Sequence, residues 1–207
     1  MSKMEIRSFT REEKKMLLIV GLVLLVFAFL NFRISLRKAR DVQRKADVNS
    51  MVGALEKYHE DFGFYPPSSE DGRIVLCEKE GGREILEDTS STLPLKERML
   101  LAFYPCDWSV DSFRDIYDDS YSPYLDILPH DPRSGEGGSY LYVSDTRFFQ
   151  LYGSLEGKKE PEFDKAIQDL NLNCGAGICN FGKTLNNVPL DESLEEYENE
   201  LLEDVKE

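Results

Sequence analysis

The side chains that could carry catalytic chemistry are few in this sequence. The chain has two histidines, His59 within a helical pattern and His130 between two prolines. Neither stands near a Ser or Cys in a nucleophile-elbow context, and the G-x-S-x-G pattern is absent, as are the Walker and dinucleotide-binding glycine loops. Surface or packing roles are the better interpretation of both histidines, and the sequence predicts that the chain is not an enzyme.

The four cysteines could form disulfides or bind a metal. Cys77, Cys106, Cys174 and Cys179 all follow a long apolar run. An even number on one side of a membrane segment indicates disulfides in an oxidising compartment. The spacing of Cys174 and Cys179 does not exclude a zinc site. The wide separation of Cys77 from Cys106 makes disulfides the better interpretation, and of the possible pairings we favour Cys77–Cys106 and Cys174–Cys179.

Carboxylates suggest one weak metal hypothesis. A calcium site is conceivable among Asp115, Asp118, Asp119, Asp126, Asp131 and Asp145. No loop has the EF-hand pattern, so solvated acids are the better interpretation and no cofactor is expected.

The charge is distributed unevenly along the chain. Residues 1–60 contain 12 Lys and Arg against 7 Asp and Glu, whereas residues 61–207 contain 13 against 32. An acidic globular part would be repelled by a phosphate backbone, which argues against a nucleic-acid partner.

An apolar segment organises the N-terminal part. Residues 16–32 contain no charge, and Ile34 and Leu36 extend the apolar character, so we predict a transmembrane helix over residues 16–36 after a basic leader of residues 1–15. A cleaved secretory signal and a buried core helix are the alternatives; residues 27–31 make a poor cleavage site. Five Lys or Arg precede the run and six follow closely, so charge alone does not decide the topology. The cysteines favour a single-pass protein with its C-terminal domain outside the cytoplasm.

The helical pattern continues past the membrane segment over residues 37–62. Apolar residues recur at three- and four-residue spacing along one stripe, which includes Val48, Met51, Leu55 and Tyr58. Core packing explains the part nearest Phe62, and the small residues Ser35, Ala39 and Ala46 could instead contact neighbouring copies. The opposite face, expected in solvent, carries Arg40, Arg44, Lys45, Asp47, Glu56 and Glu60.

The remaining pattern predicts an α+β fold, a long helix packed on a small antiparallel sheet. Within a globular head of residues 63–189, aromatic and β-branched runs at 139–143 and 147–152 predict a hairpin. We predict a short strand at 73–77, a surface loop at 79–92 and helical segments at 95–103, 112–118 and 162–170. The acidic tail, residues 190–207, predicts a solvated helix with Leu194, Tyr197, Leu201 and Val205 on one face.

Several of these motifs in order resemble a known family. They are the hydrophobic helix continuing through residues 39–58, then Phe62-Gly63-Phe64-Tyr65-Pro66, then Leu128-Pro129-His130-Asp131-Pro132, then the hairpin and the Cys-bounded loop at 174–179. Together they resemble type IV pilin-like proteins, most of all the major pseudopilins of type II secretion systems. The resemblance covers about residues 9–185.

The resemblance implies a structural subunit of a secretion or pilus filament that is anchored in the plasma (inner) membrane before assembly. Its partners would be other pilin-like subunits and the assembly platform of the secretion or pilus system. It also implies processing between Ser8 and Phe9, and a role in assembly for Glu13, the fifth residue from Phe9. Ser8 replaces the usual glycine, and Arg11, Glu12, Lys14 and Lys15 replace apolar residues. These departures favour an alternative, an uncleaved single-pass anchored extracytoplasmic binding domain with the same fold.

Overall fold

A computed structural model describes residues 10–88, 90–118 and 120–204. The chain divides into two compact units, residues 1–40 and residues 41–207. The helix α1, Arg11–Phe62, is 52 residues long and supplies residues to both units. Gly63 ends it in a left-handed conformation with φ of 76°, and its N–H donates to the carbonyl of His59 at 2.8 Å. The long helix expected from the sequence is thus confirmed.

The second unit, which we call the head, is α+β. Its elements after α1 are β1 (Val75–Glu78), α2 (Gly82–Glu87), α3 (Leu95–Ala102), β2 (Phe103–Pro105), a 3-10 turn (Ser134–Glu136), β3 (Leu141–Ser144), β4 (Phe149–Gly153), α4 (Lys165–Asp169), β5 (Phe181–Lys183) and α5 (Leu194–Asp204). Strands β1 and β2 form an antiparallel pair, and β3, β4 and β5 form an antiparallel sheet in that order. Leu141 lies opposite Tyr152 and Ser144 opposite Phe149, which confirms the predicted hairpin.

The head residues of α1 provide one wall of the hydrophobic core. Val48, Met51, Leu55 and Tyr58 are buried at successive turns and join the strand aromatics in one cluster. Burying each such side chain contributes about 1.5–3 kcal/mol. The apolar stripe is therefore core packing near Phe62, as its periodicity indicates.

Four short segments differ from the sequence-based prediction. Residues 82–87 form α2 where a loop was expected, and the three-residue strands β2 and β5 were not foreseen. Residues 112–118 were expected to be helical and are not. Asp115 Oδ1 there accepts the backbone N–H groups of Tyr117 and Asp118, and Phe113 forms a bridge with Leu125. Asp and Ser side chains compete with helical hydrogen bonds in this way, so turns replace the expected helix.

The acidic tail contains the helix α5, which packs on the rest of the head. Ser193 and Glu196 form a reciprocal cap at the start of α5, with Ser193 Oγ donating to Glu196 Oε2 at 2.7 Å. Leu194 is buried, and the Tyr197 ring meets Phe148 edge-on with centroids 5.4 Å apart. Leu201 is more exposed, and Val205 lies outside the described residues. The first half of α5 therefore contacts the rest of the head through the predicted face.

Candidate functional site

The first candidate site is the apolar surface of α1 in the N-terminal unit. Among the described residues, α1 is the one helix long and apolar enough to cross a membrane. Its large apolar side chains from Met16 to Leu36 are between 42% and 71% exposed. Exposed apolar area on this scale is unfavourable in water and indicates contact with lipid or with another protein.

The predicted assembly residue, Glu13, lies in the first turn of α1. Its Oε2 accepts hydrogen bonds from the backbone N–H of Thr10 at 2.7 Å and from the Thr10 hydroxyl at 3.0 Å. The Glu13 N–H donates back to Thr10 Oγ1 at 3.3 Å, which completes a capping box. The T-x-x-E spacing carries this signal in the sequence. The candidate processing residues Ser8 and Phe9 lie outside the described residues.

A stripe of small and apolar residues runs along α1 where the N-terminal unit ends and the head begins. Ser35, Ala39, Val42 and Ala46 follow one another at four- and three-residue spacing and are all exposed. Val42 is 60% exposed although it belongs to the apolar pattern of the helix. Small residues on a helix face allow a second helix to approach closely.

Arg44 forms a buried ion-pair network at the start of the head. Its side chain is 2% exposed, and its Nε and Nη2 donate to the two carboxylate oxygens of Asp131 at 2.6 and 3.1 Å. Its Nη1 donates to Asp41 Oδ1 at 2.8 Å and to Glu156 Oε1 at 3.0 Å. The guanidinium therefore connects α1 to residues 128–132, which contain Pro129 and Pro132, and to the turn after β4.

Asp41 extends this network to the backbone. Its carboxylate accepts the N–H groups of Glu156 and Gly157 at 2.9 and 3.0 Å. Burial by itself would lower the pKa of Arg44, but the hydrogen bonds and charges of Asp131, Glu156 and Asp41 outweigh it and raise that pKa above its ordinary value. Arg44 is thus held as a cation.

The expectation that Arg44 lies on the solvent face of the helix is wrong. Asp131 and Glu156 are 87 and 112 residues away along the chain, so the periodicity of α1 could not indicate its partners. The nearest signal in the sequence is the motif at 128–132, whose two prolines restrict the backbone on either side of His130 and Asp131. The network gives that motif a physical role, because it positions Asp131 against the helix.

Two neighbours of Arg44 strengthen the attachment of the helix. Lys45 Nζ pairs with Glu160 and Glu162, each at 3.0 Å. Asp47 Oδ2 accepts the hydroxyl hydrogen of Tyr140 at 2.7 Å. Burial raises the pKa of Asp47, and the hydrogen bonds from Tyr140 and Gln43 oppose that rise. Side chains from the loop at 160–162 and from Tyr140, which directly precedes β3, therefore converge on one segment of α1.

The cysteines are paired as Cys77–Cys106 and Cys174–Cys179, the pairs that the sequence favours. Among the described residues, the one group of three potential metal ligands is Cys77, Cys106 and Asp111, and its two sulfurs are bonded to each other. Four of the candidate calcium ligands serve other contacts: Asp115 and Asp118 accept turn N–H groups, Asp131 binds Arg44, and Asp145 accepts the N–H groups of Arg147 and Phe148. Asp119 lies outside the described residues.

Both histidines have packing surroundings. The His59 ring stacks on Tyr65 with centroids 4.4 Å apart. His130 lines a cleft of about 210 Å³ with Gln43, Asp47 and two prolines. A second cleft, of about 160 Å³ beside β1 and β2, is lined by Arg83, Arg114, Asp111 and Asp115, so its charges are mixed.

Comparison of the chain with protein families, with curated proteins and with solved structures finds no match.

Proposed function

We propose that this chain is a structural, pilin-like subunit, anchored in the plasma membrane by α1 and able to assemble into a filament of the type II secretion or type IV pilus class. Its head lies outside the cytoplasm and carries out no reaction of its own. The partners of the subunit are further pilin-like subunits and the platform that assembles them.

The observation that carries the proposal is the composition of α1. One helix of 52 residues combines a first half with exposed apolar side chains and a second half whose apolar side chains form the head's core. A helix built in this way can anchor a subunit in lipid and then join other helices in a filament core. The buried Arg44 network supports this use, because it fixes the second half of α1 to the loops of the head.

The exposed stripe at Ser35, Ala39, Val42 and Ala46 supplies a surface for contact between neighbouring helices. It stays outside the head's own core, so its exposure does not serve the folding of the single subunit. The glutamate at position 13 would exchange its Thr10 contacts for a neighbour's N-terminal amine during assembly.

The test combines mass and imaging on the full chain expressed with its assembly machinery. We expect the intact mass to be that of a chain beginning at Phe9, and we expect negative-stain electron microscopy to show filaments. The variant Val42→Arg places a charge on the exposed stripe and should abolish filaments without unfolding the head. The matched control Gln43→Arg changes another exposed position of the same helix, about 100° from Val42 around the helix axis, and should leave filaments intact. Monomers alone under these conditions contradict the filament role.

A second function, an uncleaved single-pass anchored binding domain, is favoured by one observation. Arg11, Glu12, Lys14 and Lys15 precede the apolar segment within the same helix, and the capping box already satisfies Glu13. A full-length mass together with a monomeric state after membrane extraction supports this function over the filament.

A further inference from the structure

The two ends of the apolar segment differ in net charge once acidic residues are counted. Residues 33–40 contain Arg33, Arg37, Lys38 and Arg40, and no acidic residue occurs between Glu13 and Asp41. Residues 10–15 contain three basic residues and two acidic ones, and Lys15 Nζ pairs with Glu12 at 2.8 Å. The head-proximal end is therefore the more strongly cationic one, although counts of Lys and Arg alone make the ends nearly equal.

The direction of Arg33 places its charge at the edge of the apolar segment. Its guanidinium carbon lies 4.8 Å from the centroid of the Phe29 ring, one turn back along the helix. Helical side chains lean toward the N-terminus, so the cation of a residue outside the apolar run is carried back to the level of its last turn. Arg37 follows Arg33 by four residues on the same side, and Arg33 and Lys38 are exposed.

We propose that Arg33, Arg37 and Lys38, which we call the basic collar, bind phosphate headgroups of anionic phospholipids in the leaflet on the side of the head. A guanidinium binds phosphate oxygens through two parallel N–H donors, and an ammonium adds a point charge. The acidic residues after position 60 outnumber the basic ones, 32 to 13, so an anionic membrane surface repels the rest of the chain on that side. The basic collar supplies an attraction that opposes this repulsion.

The inference rests on the membrane anchor of the proposed function and is independent of filament assembly. Its test uses the full chain in phosphatidylcholine vesicles that contain trace spin-labelled phosphatidylglycerol or, in a parallel sample, spin-labelled phosphatidylcholine. The motionally restricted fraction of each label reports the association of that lipid with the protein. We expect a preference for phosphatidylglycerol that falls with added sodium chloride, because salt screens exposed charges.

Paired variants separate the two ends of the helix. Arg33→Gln with Lys38→Gln should lower the preference about fivefold for each charge removed, since a basic residue near anionic lipid contributes about 1 kcal/mol, which corresponds to that factor. Arg11→Gln with Lys14→Gln removes the same number of charges at the other end and should lower it less. All four positions are exposed, so none of these changes disturbs the core of the head.

Each other outcome has a defined meaning. Failure of the full chain to float with the vesicles contradicts the anchor itself and therefore the proposed function. Insertion with equal association of the two lipids overturns the basic collar and leaves the anchor intact. Equal losses in the two double variants also overturn it, because they indicate general charge attraction. Displacement of phosphatidylglycerol by inorganic phosphate, but not by chloride at equal ionic strength, identifies a site for free phosphate and overturns the lipid assignment.

Discussion

Substitution of Arg44 by alanine should strongly destabilise the head. The change removes a guanidinium that bonds Asp41, Asp131 and Glu156, and the Asp41 and Asp131 side chains are 0% and 3% exposed. Removing one partner of a buried ion pair typically costs about 3–5 kcal/mol, because a desolvated charge is left without compensation. We expect the free energy of unfolding to fall by that amount.

Lys45 provides the matched control one position along the same helix. It also pairs with two carboxylates, but its side chain is 19% exposed and one partner, Glu162, is 45% exposed. Ion pairs near solvent contribute about 1 kcal/mol or less, so Lys45→Ala should have a small effect. Arg44→Lys should fall between the two, because it keeps the charge and loses the two-pronged contact with Asp131.

The assay is denaturant unfolding of the full chain in detergent micelles, followed by the fluorescence of Trp108. This single tryptophan lies against Tyr140 with ring centroids 6.2 Å apart, and the Tyr140 hydroxyl bonds Asp47 of the helix, so the signal reports separation of the helix from the head. The reasoning is refuted if Arg44→Ala and Lys45→Ala unfold with free energies within about 1 kcal/mol of each other.

Three further measurements address the stability of the same head. Gly53 has space for a Cβ atom inside a helix, so Gly53→Ala should stabilise by about 0.5–1 kcal/mol, whereas Gly82→Ala meets the backbone of α3 and should destabilise; melting temperatures compare the two. Loss of the Cys77–Cys106 disulfide in the double serine variant should lower the unfolding free energy by about 3–4 kcal/mol, measured in urea, with a non-reduced mass as control. Burial raises the folded-state pKa of Asp47, so ionisation in the unfolded state begins first and the contribution of Asp47 to the stability of the wild type falls as the pH rises above about 4. Asp47→Asn lacks this loss, and its stability relative to the wild type should increase with pH; a constant difference contradicts the assignment.

Local patterns explain which parts of the fold could be predicted from the sequence. The long helix combines an uncharged run with a 3.6-residue stripe, and both signals lie within neighbouring residues. The hairpin at β3 and β4 follows from aromatic and β-branched runs on either side of a short turn. The helix α2 was not predicted because it follows Gly81 and begins at Gly82, and Gly82 packs against the carbonyl of Ala102 in a way that no neighbouring residue indicates.

The candidate sites differ in the same way. The exposed apolar half of α1 and the capping box at Thr10 and Glu13 can be read from adjacent residues. The partners of Arg44 come from two loops that the tertiary fold brings together, so a buried arginine had the same local appearance as a solvated one. Periodicity assigns a residue to one face of a helix, and long-range packing decides whether that face is exposed to solvent.

The Arg44 network also sets an order of events in biosynthesis. Glu156 follows Arg44 by 112 residues, and at about 5–20 residues per second the ribosome needs roughly 6–22 seconds to reach it. During that interval α1 can already occupy the bilayer, while Arg44 still lacks its distant carboxylates and keeps its charge in the aqueous interface. Formation of the contacts between Arg44 and its distant carboxylates is then a late stage of folding, in which the loops of the head first bind α1.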